Sequence, residues 1–281
     1  MGKCLVTKLN GSVENNELLR LGEMRMKIAK TAEYTSSTHG FALNVSKPVT
    51  LEIVGNGYFT DVNLSDNKGK SVTLDADNKN FWVSNDGVEV AVRDKYSITK
   101  FRSFYGKNFY LDIEAFKYSD AITYLYLAYT NISGDISALK NLTALTSLNL
   151  NNIQIPLTGD IGTLSTLTKC EEIGLRYCTL TGDLATLPAS CRFVSFTENK
   201  GSTFTWGTRT SSSKIVAIEG NATLTNIDKM LQDQAQCQIG FTSNDTVYYK
   251  TISVAGTRTS ASDDAVATLQ QKGYTISIAK A

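Results

Sequence analysis

One phrase of alternating apolar residues recurs along this chain at intervals of little more than twenty residues, and no other feature narrows the fold as far. "ITYLYLAYT" starts at Ile122 and "LTSLNLNNI" at Leu145. Both fit L-x-x-L-x-L-x-x-N, the strand signature of repeats that stack into a solenoid. Ile122, Leu125, Leu127 and Thr130 fill the four template places, and Leu145, Leu148, Leu150 and Ile153 fill them again. Three further lines are Cys170, Ile173, Leu175 and Cys178; Cys191, Val194, Phe196 and Asn199; and Ser213, Val216, Ile218 and Asn221. Gln236, Ile239, Phe241 and Asn244 make a last line, and Ile98, Phe101, Ser103 and Gly106 a degraded first one. The fourth places, at 106, 130, 153, 178, 199, 221 and 244, are 24, 23, 25, 21, 22 and 23 residues apart. Those spacings fall inside the roughly 20–29 residues of the class.

The physics of the pattern predicts the architecture. A short strand with one apolar face cannot bury it alone, so each line needs a stacked neighbour. Strands are expected over Tyr124 to Leu127, Ser147 to Leu150, Glu172 to Leu175, Phe193 to Phe196, Ile215 to Ile218 and Gln238 to Phe241, all parallel in one curved sheet. Where the fourth place is Asn, Thr or Cys, its side chain is suited to satisfy backbone groups left open by the turn. Ile153 and Gly106 lack that capacity, so their turns should differ.

A second phrase follows the strand: "ISGDISAL" at 132–139, "LTGDIGTL" at 157–164 and "LTGDLATL" at 180–187. Gly134, Gly159 and Gly182 suit a tight turn, and Asp135, Asp160 and Asp183 are placed to cap a short helical turn on the convex side. A metal would need these carboxylates to converge, whereas one per coil gives a ladder.

Residues 1–95 read differently. From Val49 to Val92, short alternating runs are broken by "GNG", "DNKGK", "DNKN" and "NDG", which predicts a small all-β, sandwich-like unit. "KCLVTKL" and "EMRMKIAK" are candidate strands, "ENNELLRLG" a helical turn, and "KTAEYTSSTHG" a loop. The boundary is drawn near Asp94 to Ser97, giving an N-terminal β-rich unit at 1–95 and a repeat domain at 96–281. At the far end, "TVYYKTISVAG" suggests an extra strand or hairpin, and "SDDAVATLQQKGYTISI" a helix begun by Asp263 or Asp264, stopped by Gly273 and followed by a strand. This irregular segment is read as a C-terminal cap.

Catalytic chemistry finds no foothold. "GNGYF" at Gly55 to Phe59 lacks the third glycine and following helix of a dinucleotide fingerprint, and "DADNKN" at Asp75 to Asn80 lacks the glycine and glutamate of a calcium loop. His39 is the only histidine, and no nucleophile or carboxylate pair is singled out. No cofactor, metal site or enzymatic activity is expected. A formal net charge of +1 without basic clustering argues against nucleic acid, and the absence of a long apolar run argues against membrane insertion. The opening residues carry no apolar secretory segment, and Val6 stands where a myristoylation motif wants Ser or Thr. Of Cys4, Cys170, Cys178, Cys191 and Cys237, the three middle ones fill inward template places. A Cys170–Cys191 disulfide is conceivable, but buried thiols are the expectation.

The combination of "CLVTKLNG", "LLRLGEMRMKI", "IVGNGYFTD", "VSNDGVEVAVRDKYSIT" and "YLYLAYTNISGDISALKNLTALTSLNL" resembles leucine-rich-repeat proteins encoded by Bacteroides phages and prophages, including crAss-like phages. That resemblance implies a virion or tail-associated component, assembled in the host cytoplasm and not an enzyme. Its partners would be other virion proteins, further copies of the chain, and a host-surface protein or glycan. A secreted or surface bacterial leucine-rich-repeat binding protein is the alternative.

Recognition would use residues between the template apolars, which point out of the sheet. Candidates for the ligand-binding face are Arg102, Phe104, Tyr124, Tyr126, Asn149 and Arg176. The competing reading is that Phe104, Tyr124 and Tyr126 pack against the N-terminal unit or one another to cover the first coil.

Overall fold

A computed structural model describes residues 23–28, 38–54, 56–60, 67–75, 80–84, 88–105, 109–152, 157–197, 199, 201–241 and 250–280. The expectations placed on residues 1–22, on Gly55, Gly106, Ile153 and Asn244, and on most of "DADNKN" lie outside them. The chain is mostly β, with a large sheet of parallel strands and few helices, and it forms a solenoid-like repeat array.

The first strands are β1 (Met24–Ile28), β2 (Thr38–Val45), β3 (Val49–Val54), β4 (Tyr58–Thr60), β5 (Asn67–Gly69), β6 (Ser71–Leu74), β7 (Asn80–Ser84) and β8 (Val88–Val92). They pair antiparallel in two sets, β1–β8–β3–β6 and β2–β7–β4–β5. Alternation along β3 puts Val49, Leu51 and Ile53 inside, and Phe41, Phe59 and Phe81 close the core between the strands. Their rings pack at centroid distances of 5.2 Å for Phe41–Phe81 and 5.7 Å for Phe59–Phe81. Large side chains set this register, not a repeated phrase.

The array follows as β9 (Ile98–Tyr105), β10 (Phe109–Asp112), β11 (Tyr124–Ser133), β12 (Ser147–Asn152), β13 (Thr158–Asp160) and β14 (Glu172–Arg176). It continues through β15 (Thr179–Asp183), β16 (Phe193–Ser195), β17 (Thr203–Thr205), β18 (Ala217–Leu224), β19 (Thr251–Ala255) and β20 (Thr275–Ala279). Two helices, α1 (Ile227–Gln236) and α2 (Asp263–Gln271), flank the last strands.

Two parallel ladders run through these coils. The first joins β9, the start of β11, β12, β14, β16 and the start of β18. These are the template strands, parallel as expected. The second joins β10 to the end of β11, then β13, β15, β17 and the end of β18. The second ladder departs from the sequence expectation, which makes the G-D phrase a turn and helix alone. It is a short strand ending at the aspartate, and the helical turn after it is of the 3-10 type.

The aspartates cap as expected: Asp135, Asp160 and Asp183 each accept from the backbone N–H two residues on, at 2.8, 2.7 and 2.8 Å. Asp112 does the same one coil earlier. The glycine before each aspartate has a further role. Gly182 sits at φ +116°, and a Cβ there would lie 2.1 Å from Asp160 Oδ1 of the preceding coil. Gly159 meets Asp135 in the same way at 2.8 Å. Each glycine thus makes room for its neighbour's cap, and the phrase must recur as a pair.

Both sets of N-terminal strands run on into the array. β2 pairs antiparallel with β9, and β1 pairs antiparallel with β10. A file of threonines reinforces the first junction: Thr99 Oγ1 donates to Asn44 O at 3.1 Å, Thr123 Oγ1 to Thr99 O at 3.1 Å, and Thr146 Oγ1 to Thr123 O at 2.9 Å. At the boundary segment, buried Lys95 donates to Ala115 O and Lys117 O at 3.0 and 3.1 Å. Phe101 packs edge-on against Phe41 and Phe116, so one aromatic core spans the change from antiparallel to parallel pairing.

The far end corrects one expectation. Gln238 to Phe241 is not a strand; a single bridge joins Lys214 to Gln238, and Ile239, assigned inward, is 56% exposed. α1 stands before this segment, where earlier coils carry a 3-10 turn, and buries Ile227, Met230 and Leu231. The proposed cap is otherwise present: α2 starts at Asp263, Gly273 turns at φ +86°, and β20 pairs parallel with β19. Arg209 closes the coil beneath, its buried guanidinium donating to the carbonyls of Lys214, Ala185, Leu187, Pro188 and Cys191.

Candidate functional site

Parallel pairing in exact register turns the outward residues of the first ladder into rows. One row reads Lys100, Tyr124, Ser147, Glu172 and Phe193, and ends at Ala217, which is buried. Its neighbour reads Arg102, Tyr126, Asn149, Gly174, Ser195 and Glu219. Inward residues are apolar from coil to coil apart from Ser103 in β9, while the outward ones change at every step.

The sequence candidates fall into two groups on this face. At one end, Tyr124 and Tyr126 stack with centroids 6.3 Å apart and planes 7° from parallel, and the Arg102 guanidinium lies 5.6 Å over the Tyr126 ring. Burial pushes the Tyr124 hydroxyl up. These residues pack on one another, while the packing into the N-terminal strands is done by Phe101 from the other side of the sheet. Phe104 lies in β9, but its side chain is outside the described residues.

Asn149 and Arg176 belong to the second group. They border a concavity of about 250 Å³ over Gly174, shared with Glu172, Ser195 and Glu219. Glu172 is held by Arg192, whose Nη2 donates to Oε1 at 3.1 Å. The Arg176 guanidinium lies 5.3 Å over the Tyr177 ring, and its Nε is buried without a hydrogen-bond partner among the described residues. Tyr177 is 39% exposed at φ +58°, a left-handed conformation that is rare for a bulky residue. Glu172, Gly174 and Ser195 hold outward places between the template apolars, as the sequence reading has them, but are not among its six ligand candidates; Glu219 and Tyr177 are in neither group. The missing glycine side chain in an outward place was the available signal.

The fourth template place behaves as read where it is described. Asn199 Oδ1 accepts from Cys178 N at 2.7 Å and its Nδ2 donates to Leu175 O at 2.6 Å, while Thr130 Oγ1 donates to Leu127 O at 3.1 Å. Cys170, Cys178, Cys191 and Cys237 are buried free thiols, so the conceivable Cys170–Cys191 disulfide is not formed. Burial pushes Cys170 and Cys178 up to about 12 and Cys191 to about 11, which leaves them protonated and poor nucleophiles at neutral pH. Among the described residues no group of three metal-ligating side chains converges, and no helix is long and apolar enough to cross a membrane. The chain matches no family model and no curated protein.

Proposed function

We propose that this chain is a non-enzymatic recognition and structural protein of a phage virion, tail-associated, in which a leucine-rich-repeat array carries the recognition surface. The sandwich-like N-terminal unit, residues 1–95, anchors it to other virion proteins, and copies of the chain assemble together. The observation that carries this reading is the row of unlike outward side chains, Arg102, Tyr126, Asn149 and Ser195 among them, mounted on an inward ladder that is apolar from β11 to β18. Such a surface varies residue by residue without disturbing the core beneath it. The virion assignment rests on the resemblance to phage leucine-rich-repeat proteins. A surface or secreted bacterial binding protein would use the same face.

Purified particles test the placement. The protein should be found in them by mass spectrometry and be labelled at the tail by antibody in electron micrographs. The soluble full-length chain should bind host cells and compete with particle attachment. Absence from particles together with display on the bacterial surface would replace this reading by the alternative.

A further inference from the structure

We infer that the concavity over Gly174 binds a single hexopyranose unit of a neutral host-surface glycan; this rests on the recognition role just proposed and deepens it. Gly174 sits in the middle of β14, where a glycine weakens the strand relative to alanine. Its backbone is not in the left-handed region, so conformation does not require it. Space favours it: a Cβ would lie 3.0 Å from Asn149 Nδ2, so that amide would have to shift by a few tenths of an ångström, and the added group would begin to fill the notch. A strand glycine marks a close approach to the backbone, and here it is the Asn149 amide that lies over Gly174 and forms one wall of the notch.

The notch is chemically mixed. Carboxylates of Glu172 and Glu219 accept hydrogen bonds, the Arg176 guanidinium donates them, and Asn149 and Ser195 do both. A hydroxyl-bearing ring suits that wall because each hydroxyl both donates and accepts, whereas an anion would face two carboxylates and a cation the guanidinium. The volume of about 250 Å³ is below the roughly 300–1,000 Å³ of pockets that enclose a whole drug-sized ligand, so it fits one unit of a larger one. Phe193, beside Glu172 in the register, brings aromatic surface of the sort that packs on a pyranose C–H face. Arg176 is preset for its part. Tyr177 holds the guanidinium from above, and a buried Nε–H awaits an acceptor.

Saturation-transfer NMR with the full chain and a panel of methyl hexopyranosides and their neutral oligosaccharides tests this, with host-cell binding measured in parallel. At least one sugar should bind, and Gly174→Leu should weaken it by about tenfold or more while leaving the melting temperature within a few degrees. Ser195→Tyr blocks the notch from the next strand and gives the same result should Gly174→Leu fold poorly. Sugar binding that ignores both variants would overturn the notch but not recognition. Cell binding lost in both variants without any sugar bound would overturn the hexopyranose in favour of a protein ligand. Failure to bind either cells or sugars would overturn the recognition role itself.

Discussion

The antiparallel strands before residue 95 and the parallel coils after it solve the same problem in different ways. In the N-terminal part, strand order departs from chain order, and a few large rings, Phe41, Phe59 and Phe81, fix the register. In the array, strand order follows chain order, and medium-sized residues such as Leu125, Leu148, Ile173 and Val194 stack on their own kind one coil away. The first is specified by shape and the second by repetition. The two meet without a gap, because β9 and β10 each pair with both kinds of neighbour.

The strongest way to break that comparison is a charge in the repeated ladder. Leu148 is 1% exposed between Leu125 and Ile173, so Leu148→Asp places an uncompensated carboxylate among apolar neighbours on both sides. A loss of about 4 kcal/mol or more is expected in chemical denaturation. Because both sheets are continuous, the N-terminal strands should melt with the array in one transition. Two separated transitions would show the regions to be independent.

A smaller effect sharpens the account of repetition. Gly182→Ala forces a left-handed alanine, worth about 1–2 kcal/mol, and crowds Asp160 as well. Asp160→Ala alone removes a cap, at about 1 kcal/mol. The double variant should lose less than the two single losses added, since the aspartate that the new methyl strikes has gone. Strict additivity in thermal unfolding would mean that the glycine and aspartate are not partners across coils.

Acid should act last and at the far end. The Asp228 carboxyl is held below the ordinary 3.8 by the hydroxyls of Ser262 and Thr259 and the Thr259 N–H. Burial alone would raise Asp233, but the Arg209 N–H, the Lys229 ammonium and the Trp206 indole outweigh it and hold this carboxyl low too. Groups depressed in the fold contribute stability that is present above their unfolded value and lost as pH falls through the folded one. The melting temperature should therefore be level from pH 7 to about 5 and decline below about 4. Asp233→Asn should flatten the decline, and an unchanged acid profile in that variant would remove Asp233 from the explanation.

Repetition is also what made the array legible in sequence. Seven lines in near-constant phase outweigh any one weak line, so the strands of the first ladder and the capping aspartates could be placed from the residues alone. The second ladder could not, because three residues such as Thr158–Asp160 are too few to show a period of two, and glycine and aspartate are turn formers by habit. The last line misleads at Ile239, which fits the template by type but is exposed, whereas Phe241 is buried as its place implies; here a full α-helix, α1, replaces the 3-10 turn of the earlier coils and no strand follows it at Gln238 to Phe241. On the open face the aromatic candidates were visible because they are large. The outward place of Gly174 is legible too, but not the notch over it, because that residue is defined by what it lacks.

The continuity of the two ladders also decides how the molecule carries mechanical load. Hydrogen bonds between coils point along the array, so tension applied at its ends pulls on every rung lengthwise and divides between two ladders in each coil. The chain then yields where, among the described residues, the rungs are fewest. Between β18 and β19 the register breaks from Ile218 to Ala222, leaving Ile218 opposite Ile252 on one side of the break and two pairs on the other. Under tension the C-terminal strands and helices would part there first, while the coils from β9 to β16 still held their shape.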